Sequence, residues 1–495
     1  MKEYLISLDQ GTTSSRAILY DNKAKSIGSC QTPTTSLYPH PGWVEQDPME
    51  LWSSIKKVLI ELMDESKIDP NMIAGIGITN QRETTIVWDK KSGAPIYNAI
   101  VWQDRRTADY CTSIASDQNK ELIRSKTGLI IDAYFSATKI SWILDHVEGA
   151  RAKAEAGELA FGTVDSWVIW NLSSGQLHLT DVTNASRTML YNIHSLEWDQ
   201  ELLDLFDIPA ALLPQVKSSS EVYGSIDKNI LGVEVPIAAI AGDQQSALFG
   251  QLCTKPGMAK TTYGTGCFLV MNTGEKAVDS SNELLTTIAW KIGNQVHYAL
   301  EGSVFVGGAA IQFLRDGLEL ISEAKESEAL ARSVEDTAGV CFVPALTGLG
   351  APHWDSSARG AIFGLTRGTS KAHIVRAALE AIGLQVHDLI QAMCQDTNSD
   401  RIEMRVDGGA TANNFLMQFQ ADILNTSIER PVDIETTALG VTFLAGLATG
   451  IWKDMEALQS LWITDKKFSP KLSQQQRAEL LKKWNTAIER SKNWV

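Results

Sequence analysis

A β-prone run, Tyr4 to Leu8, breaks into the polar turn Asp9-Gln10-Gly11-Thr12-Thr13-Ser14-Ser15 and resumes from Arg16 to Tyr20. The pattern predicts a β-hairpin with a hydroxyl-rich tip. The second half of the chain begins likewise, with Ala259 to Tyr263, the small turn Gly264-Thr265-Gly266, then Cys267 to Met271. Two such hairpins fit two domains of related architecture facing one another, although strand–turn–strand also recurs by chance in α/β proteins. Between them, Asp47-Pro48 reads as a helix N-cap with proline at the first helical position, followed by Leu51, Ile55, Leu59 and Leu62 at helical spacing. Ile73 to Thr79 and Thr84 to Trp88 read as strands, with Asn80-Gln81-Arg82-Glu83 at the bend between them. Strands interleaved with helices make an α/β protein. The 495 residues exceed one ordinary core and suggest two to about three domains. A turn-rich stretch near Phe249 to Gly257 places the boundary so that residues 1–250 and 251–495 form the two domains. No low-complexity linker separates them, so they are expected to be packed and hinged.

A formal charge of -15 argues against a nucleic-acid or anionic-lipid partner, since both need clustered Lys and Arg. A polyphosphate ligand would then need a local positive field from backbone N–H groups, a metal ion and a few basic side chains. Met1-Lys2-Glu3-Tyr4 runs directly into the first strand, so no signal peptide is expected. The most apolar stretch, Ala438 to Trp452, is shorter than the roughly 20 residues a membrane span needs and reads as a buried helix with small packing faces. Cys30, Cys111, Cys253, Cys267, Cys341 and Cys394 are scattered without a CxxC pair, and reduced thiols in a cytoplasmic protein are expected.

Four places can carry chemistry. The first hairpin tip offers backbone N–H groups, the hydroxyls of Thr12, Thr13 and Ser14, and Arg16, all suited to phosphate. Asp9 beside it could hold Mg²⁺, while the same residues also compose an ordinary solvated turn. Asp243, in Ala241-Gly242-Asp243-Gln244-Gln245 after an apolar strand, is placed to accept a proton from a hydroxyl, or to cap the helix that follows. Arg82 and Glu83 can share one hydroxyl-bearing ligand at a bend, or form a plain surface ion pair. Trp102, Tyr134 and Phe268 could wall a small carbon skeleton, or be core. Finally, Asp407-Gly408-Gly409 between a strand and the helix bearing Phe415, Leu416, Phe419 and Ile423 lets a flat ring or phosphate approach the backbone. Gly307-Gly308 ahead of Gln312 is a weaker version of the same signal.

In this order the pieces resemble the FGGY carbohydrate kinases of the actin, hexokinase and heat-shock-ATPase superfamily. The resemblance runs from Leu8-Asp9-Gln10-Gly11-Thr12-Thr13-Ser14-Ser15-Arg16 to the Ala438 helix. Tyr134-Phe135-Ser136-Ala137-Thr138-Lys139-Ile140-Ser141-Trp142 and Gly360-Ala361-Ile362-Phe363-Gly364-Leu365 look like its two signatures. Within the family, Pro41-Gly42-Trp43-Val44-Glu45, Thr79-Asn80-Gln81-Arg82-Glu83-Thr84-Thr85 and Thr183-Asn184-Ala185-Ser186-Arg187-Thr188 are similar to members acting on glycerol. The resemblance implies two ribonuclease-H-like domains, each a mixed sheet flanked by helices, with ATP and substrate in the cleft between them. By position, Arg82, Glu83, Tyr134, Asp243 and Gln244 would bind the glycerol hydroxyls, Trp102 and Phe268 its carbons, and Asp243 would be the general base. Thr12, Thr13, Ser14 and Arg16 would meet the nucleotide phosphates, Asp9 the Mg²⁺, and Thr265, Gly308, Gln312, Gly409 and Asn413 the rest of ATP/ADP. The product would be sn-glycerol 3-phosphate, and a homodimer or homotetramer is implied.

Control elements depart from the family. Some bacterial members are inhibited by fructose 1,6-bisphosphate through a Gly-Gly-x-Arg type loop, and others are activated by phosphorylation of a histidine in that region. Here the stretch Ser225 to Val235 contains neither arginine nor histidine. Fructose 1,6-bisphosphate is therefore expected to inhibit weakly or not at all; strong inhibition in a steady-state titration would contradict this. Two other readings compete: a family kinase acting on a pentulose, gluconate or erythritol, and an actin-like or chaperone-like ATPase without a polyol pocket.

Overall fold

The computed structural model describes residues 2–355, 357–399 and 402–495. Among the described residues, thirteen strands form one continuous sheet. The first half supplies β1 (Tyr4–Gln10), β2 (Ser14–Asp21), β3 (Ser26–Pro33), β4 (Ile73–Asn80), β5 (Ser220–Ser225) and β6 (Pro236–Gly242). The second supplies β7 (Met258–Tyr263), β8 (Cys267–Gly274), β9 (Leu285–Ile292), β10 (Gln295–Val304), β11 (Glu403–Asp407), β12 (Ile428–Pro431) and β13 (Thr464–Phe468).

The halves are built alike. β1 runs antiparallel to β2 and parallel to β4; β7 runs antiparallel to β8 and parallel to β11. Each hairpin gains a third antiparallel strand, β3 on β2 and β10 on β8. Beyond the parallel partner lies another parallel strand, β6 beside β4 and β12 beside β11. The two hairpins read from the sequence thus hold equivalent places in two half-sheets, and their likeness is architectural. The half-sheets meet where β5 lies parallel to β9, with Ser220 opposite Ile292 as the paired residues.

Helices cover the faces. In α1 (Pro48–Ser66) the Asp47 carboxylate accepts from the Met49 backbone N–H at 2.8 Å, satisfying a donor the first turn leaves open. Leu51, Ile55, Leu59 and Leu62 are its buried face, as their spacing predicts. The apolar stretch from Ala438 belongs to α5 (Thr436–Thr449), met after α2 (Asp243–Gly250), α3 (Lys371–Thr397) and α4 (Asn414–Leu424). Helix α5 lies in a core shared by both halves, with Leu5, Ala74 and Ala239 from the first-half strands and Val270 from the second-half sheet. It touches α2 backbone to backbone: a methyl group at Gly440 would overlap the Ser246 carbonyl, and one at Gly250 would overlap the Thr436 carbonyl. Glycine is required at both because no side chain fits there. Among the described residues, no helix is long and apolar enough to cross a membrane.

Two local expectations change. The strand expected from Thr84 starts at Ile86, because Glu83 adopts φ 61° and Thr85 forms a separate bridge to Ile100. Asp243 does begin a helix, but as its first helical residue; the capping position is Gly242.

Candidate active site

The first hairpin places its turn at the end of β1 and β2, with Asp9 opposite Arg16. The turn is tied down rather than merely solvated. The Thr12 carbonyl accepts from Gln46 Nε2 at 2.7 Å, and the Thr12 hydroxyl accepts from the Trp102 indole N–H at 2.9 Å. The Thr13 carbonyl accepts from the Thr34 backbone N–H, and the Ser14 hydroxyl from Gln31 Nε2. Thr13 is exposed at the tip. Arg16 does not point freely toward the turn: it pairs with Glu435 at 2.5 Å and donates to Gln31 at 2.7 Å. Burial, reinforced by the charge of Asp243, pushes the Asp9 carboxyl up to about 7, with Arg16 opposing.

The bend after β4 holds the second group. Arg82 and Glu83 are 3% and 1% exposed, which removes the surface ion pair as a reading. The Arg82 fork donates to both carboxylate oxygens of Glu301, at 2.6 and 2.8 Å, while its Nε lies 3.2 Å from Asp243 and 3.8 Å from Glu83. Glu83 in turn accepts from Arg187 Nε at 2.6 Å, and Arg187 Nη2 donates to Glu301 at 3.2 Å. Each buried charge therefore has a partner, the condition for keeping ions out of water. Burial raises the Glu83 carboxyl despite Arg82 and Arg187; Glu301 is also penalised by burial, yet the same two guanidiniums bring it down to about 2. Burial works against the Arg82 charge, but Glu301 and Glu83 outweigh it and hold it firmly protonated.

Around this group stand the aromatics. Trp102 and Tyr134 meet edge to face with ring centroids 5.6 Å apart. Burial, with the Glu83 charge, pushes the Tyr134 hydroxyl well above its ordinary range, so it stays neutral and able to donate. Phe268 sits half-buried on β8, opposite Ser303, and among the described residues makes no ring contact with the other two. Asp243, about one-third exposed, is the open member of the group. Gln244 follows it and accepts from Lys260, a buried lysine on β7 that also donates to Thr262 at 2.9 Å. Burial lowers the affinity of Lys260 for its proton, while Asp407 and Asp243 act to keep it charged.

The third group lines a cavity of about 470 Å³ in the second half. Thr265, Gly308, Gln312, Gly409 and Asn413 all face it, with Ile311, Leu379, Ile382 and Leu416 as apolar walls. Three backbone segments converge there. The Gly308 N–H donates to the Gly264 carbonyl at 2.8 Å, and a methyl at Gly308 would stand 2.7 Å from that oxygen. Gly408 has φ 89°, and a methyl there would stand 2.6 Å from the Tyr263 carbonyl, whereas Gly409 faces open space. Asn413 caps α4 by accepting from the Leu416 N–H at 3.0 Å and donates to Ser327 at 3.2 Å. Apolar walls with a few convergent polar groups suit a flat heterocycle with a polar tail.

Sequence reasoning missed Glu301, Arg187 as a member of the charge group, and Lys260. Arg187 stands inside Thr183 to Thr188, a stretch that carries the family resemblance, so a signal for it existed. Glu301 lies in a strand with no neighbouring motif, and Lys260, though in the Ala259 to Tyr263 strand of the second hairpin, has no local feature that ties its side chain to the site.

The comparisons with known proteins agree over the whole chain. Residues 4–250 match the FGGY family of carbohydrate kinases, N-terminal domain, and residues 259–449 its C-terminal domain. The chain is 59% identical over 492 residues to "Glycerol kinase 2" of Thermotoga maritima, covering 99% of both, and 58% identical over 495 residues to "Glycerol kinase" of Caldanaerobacter subterraneus, covering 100% of both. Its structure matches that of Plasmodium falciparum glycerol kinase with ADP at a TM-score of 0.95 and 38% identity, covering 99% of this chain and 98% of that one. A gluconate kinase of Lactobacillus acidophilus, 24% identical at a TM-score of 0.88 and covering 98% and 97%, shares the fold. With both domain models matched in order and full-length relatives this similar, the chain belongs to the FGGY family of carbohydrate kinases.

Proposed function

We propose that this chain transfers the γ-phosphoryl group of ATP to a terminal hydroxyl of glycerol, giving sn-glycerol 3-phosphate and ADP. The observation that carries the reading is the buried Arg82–Glu83 bend with Asp243 3.2 Å from the Arg82 guanidinium. It joins donors, acceptors and one accessible carboxylate in a single place, as a small polyhydroxy substrate requires. Full-length relatives named as glycerol kinases, at 58–59% identity, support the same substrate.

Arg82, Glu83, Tyr134 and Gln244 hold the glycerol hydroxyls, and Trp102 and Phe268 lie against its carbons. Asp243 orients the attacking hydroxyl and takes its proton as the oxygen bonds to the γ-phosphorus. The bond from that phosphorus to the bridging oxygen breaks, and ADP keeps the electron pair. Phosphoryl transfer asks the protein chiefly for in-line positioning and charge neutralisation. The Thr12-Thr13-Ser14 turn and Arg16 meet the phosphates, with Arg16 exchanging Glu435 for a phosphate oxygen. Thr265, Gly308, Gln312, Gly409 and Asn413 hold the remainder of the nucleotide. Asp9 is the residue that would hold Mg²⁺. Its raised proton affinity beside Asp243 suits a divalent cation, whose remaining positions waters and phosphate oxygens would fill. When bound, Mg²⁺ neutralises phosphate oxygen charge. Closure of the two domains, 1–250 and 251–495, over the cleft excludes water as a competing acceptor.

The test is ADP release, coupled to a spectrophotometric readout, over a panel of polyols and sugars. ADP release is expected to depend strongly on glycerol, with the highest specificity constant for it. A longer sugar that outperforms glycerol would move the substrate assignment, and ATP turnover indifferent to any polyol would overturn the kinase reading.

A further inference from the structure

The Arg82–Glu83 pair does not stand alone. It belongs to a ring of four buried charges in which Arg82 and Arg187 alternate with Glu83 and Glu301. Three of the four come from the first half, but Glu301 comes from β10 in the second. The geometry divides the work. Glu301 receives both nitrogens of the Arg82 fork at 2.6 and 2.8 Å, which fixes the guanidinium plane and leaves Nε toward Asp243 at 3.2 Å. Arg187 grips one oxygen of Glu83, Oε1, at 2.6 Å. The Glu83 backbone is held from the other side, because its carbonyl accepts from the Ser136 hydroxyl at 3.0 Å. Arg187 itself is fully buried, with its guanidinium carbon 5.6 Å from the Tyr134 ring centre and 5.2 Å from that of Phe135.

We propose that Arg187 and Glu301 are positioning residues for the polyol site: Arg187 fixes the Glu83 carboxylate as an acceptor for a substrate hydroxyl, and Glu301 fixes Arg82 as the matching donor. The inference rests on the glycerol-kinase reading above and deepens it. Neither residue needs to touch the substrate. A bidentate Arg–carboxylate contact sets orientation as well as energy, and a pocket for hydroxyl groups discriminates through how well its polar groups are aimed. The charges facing Glu83 are Arg82 beside it, Arg187 across it, Glu301 and Asp243 beyond the two guanidiniums, and Lys139 on the helix starting at Ser136, with the neutral Tyr134 hydroxyl as a further titratable group. Of these, Arg187 is the cation in direct hydrogen-bonded contact with the Glu83 carboxylate. Removing it therefore changes both where Glu83 points and the pH at which it carries charge.

The experiment measures kcat, KM for glycerol and KM for ATP against pH in the wild type, Arg187→Met, Arg187→Lys and Glu301→Gln. Wild-type glycerol-dependent ADP release tests the underlying reading; its absence would sink that reading separately from this inference. With an active wild type, Arg187→Met is expected to raise KM for glycerol about tenfold or more and leave KM for ATP near its original value. The acid limb of kcat/KM for glycerol should move to higher pH, and Arg187→Lys should bring the limb part of the way back. Glu301→Gln should raise KM for glycerol without moving the limb upward, since it removes a negative neighbour of Glu83. A glycerol KM within about twofold of wild type and an unmoved acid limb in folded Arg187→Met would overturn the proposal. Should Arg187→Met fail to fold, Arg187→Lys decides: it keeps the charge but lacks the rigid fork whose Nε and Nη2 reach Glu83 and Glu301 separately, and an unchanged glycerol KM there also overturns it.

Discussion

Replacing Asp243 with asparagine is expected to lower kcat for glycerol phosphorylation by roughly 10³-fold, within the range a positioned general base contributes, while glycerol binding stays largely intact. The structure explains why the two effects should separate. Asp243 Oδ1 accepts from the Gln244 backbone N–H at 2.7 Å, and an asparagine carbonyl can do the same. Arg82, the cation beside it, retains both oxygens of Glu301 and the nearby Glu83. No buried charge is therefore orphaned, and the loss is confined to proton acceptance by the one accessible carboxylate of the group. Isothermal titration with glycerol, alongside single-turnover measurement of ADP formation, checks both halves. Retained turnover would reject Asp243 as the base, and abolished glycerol binding would instead make it chiefly a substrate ligand.

Gly440→Ala is expected to destabilise the protein by about 3 kcal/mol, at the upper end for overpacking a tight interior. The sign is not obvious in advance, because alanine is favoured over glycine inside a helix by about 1 kcal/mol. Contact geometry decides it. The added methyl overlaps the Ser246 carbonyl of α2, and backbone cannot rotate away as a side chain could. Gly250→Ala attacks the same crossing from the other helix, at the Thr436 carbonyl. Once either has forced α2 and α5 apart, the second should cost less than it does alone, so the double variant should be sub-additive. Because α2 opens with Asp243 and Gln244, kcat of the folded fraction should fall with stability. Urea unfolding monitored by tryptophan fluorescence measures the first effect and steady-state kinetics the second. An unchanged unfolding midpoint would show that the helices adjust without strain.

Most of the local architecture was legible in the sequence because it rests on local rules. The hairpin turns, the Asp47-Pro48 helix start and the apolar face of Leu51, Ile55, Leu59 and Leu62 depend on residues close in the chain. Asp243, the Arg82–Glu83 bend and the glycine pairs stood out by their places at strand ends and bends, but each also had an ordinary structural reading there, and the family resemblance is what separated the two. What could not be read is what depends on distant partners. Arg82 as a dipeptide with Glu83 suggested a surface pair; its burial follows from Glu301, which lies in another sheet strand and carries no local signal. The tie between Trp102 and Thr12 is likewise a meeting of separate segments. The start of α2 differs for a smaller reason: Gly242 and Asp243 are both good terminal residues, and only the backbone shows which of them is first inside the helix.

The contribution of Glu301 from beyond the β5–β9 junction bears on how a fold like this can change its diet. A carboxylate from one half supports the guanidinium with which the other half would grip the substrate. A chimera that joined this first half to a partner lacking an acid at that place would leave Arg82 and Arg187 with only Glu83 and the partly exposed Asp243 to balance them. New preferences should therefore emerge through matched substitutions on the two sides, inherited together, and seldom by trading one half for another.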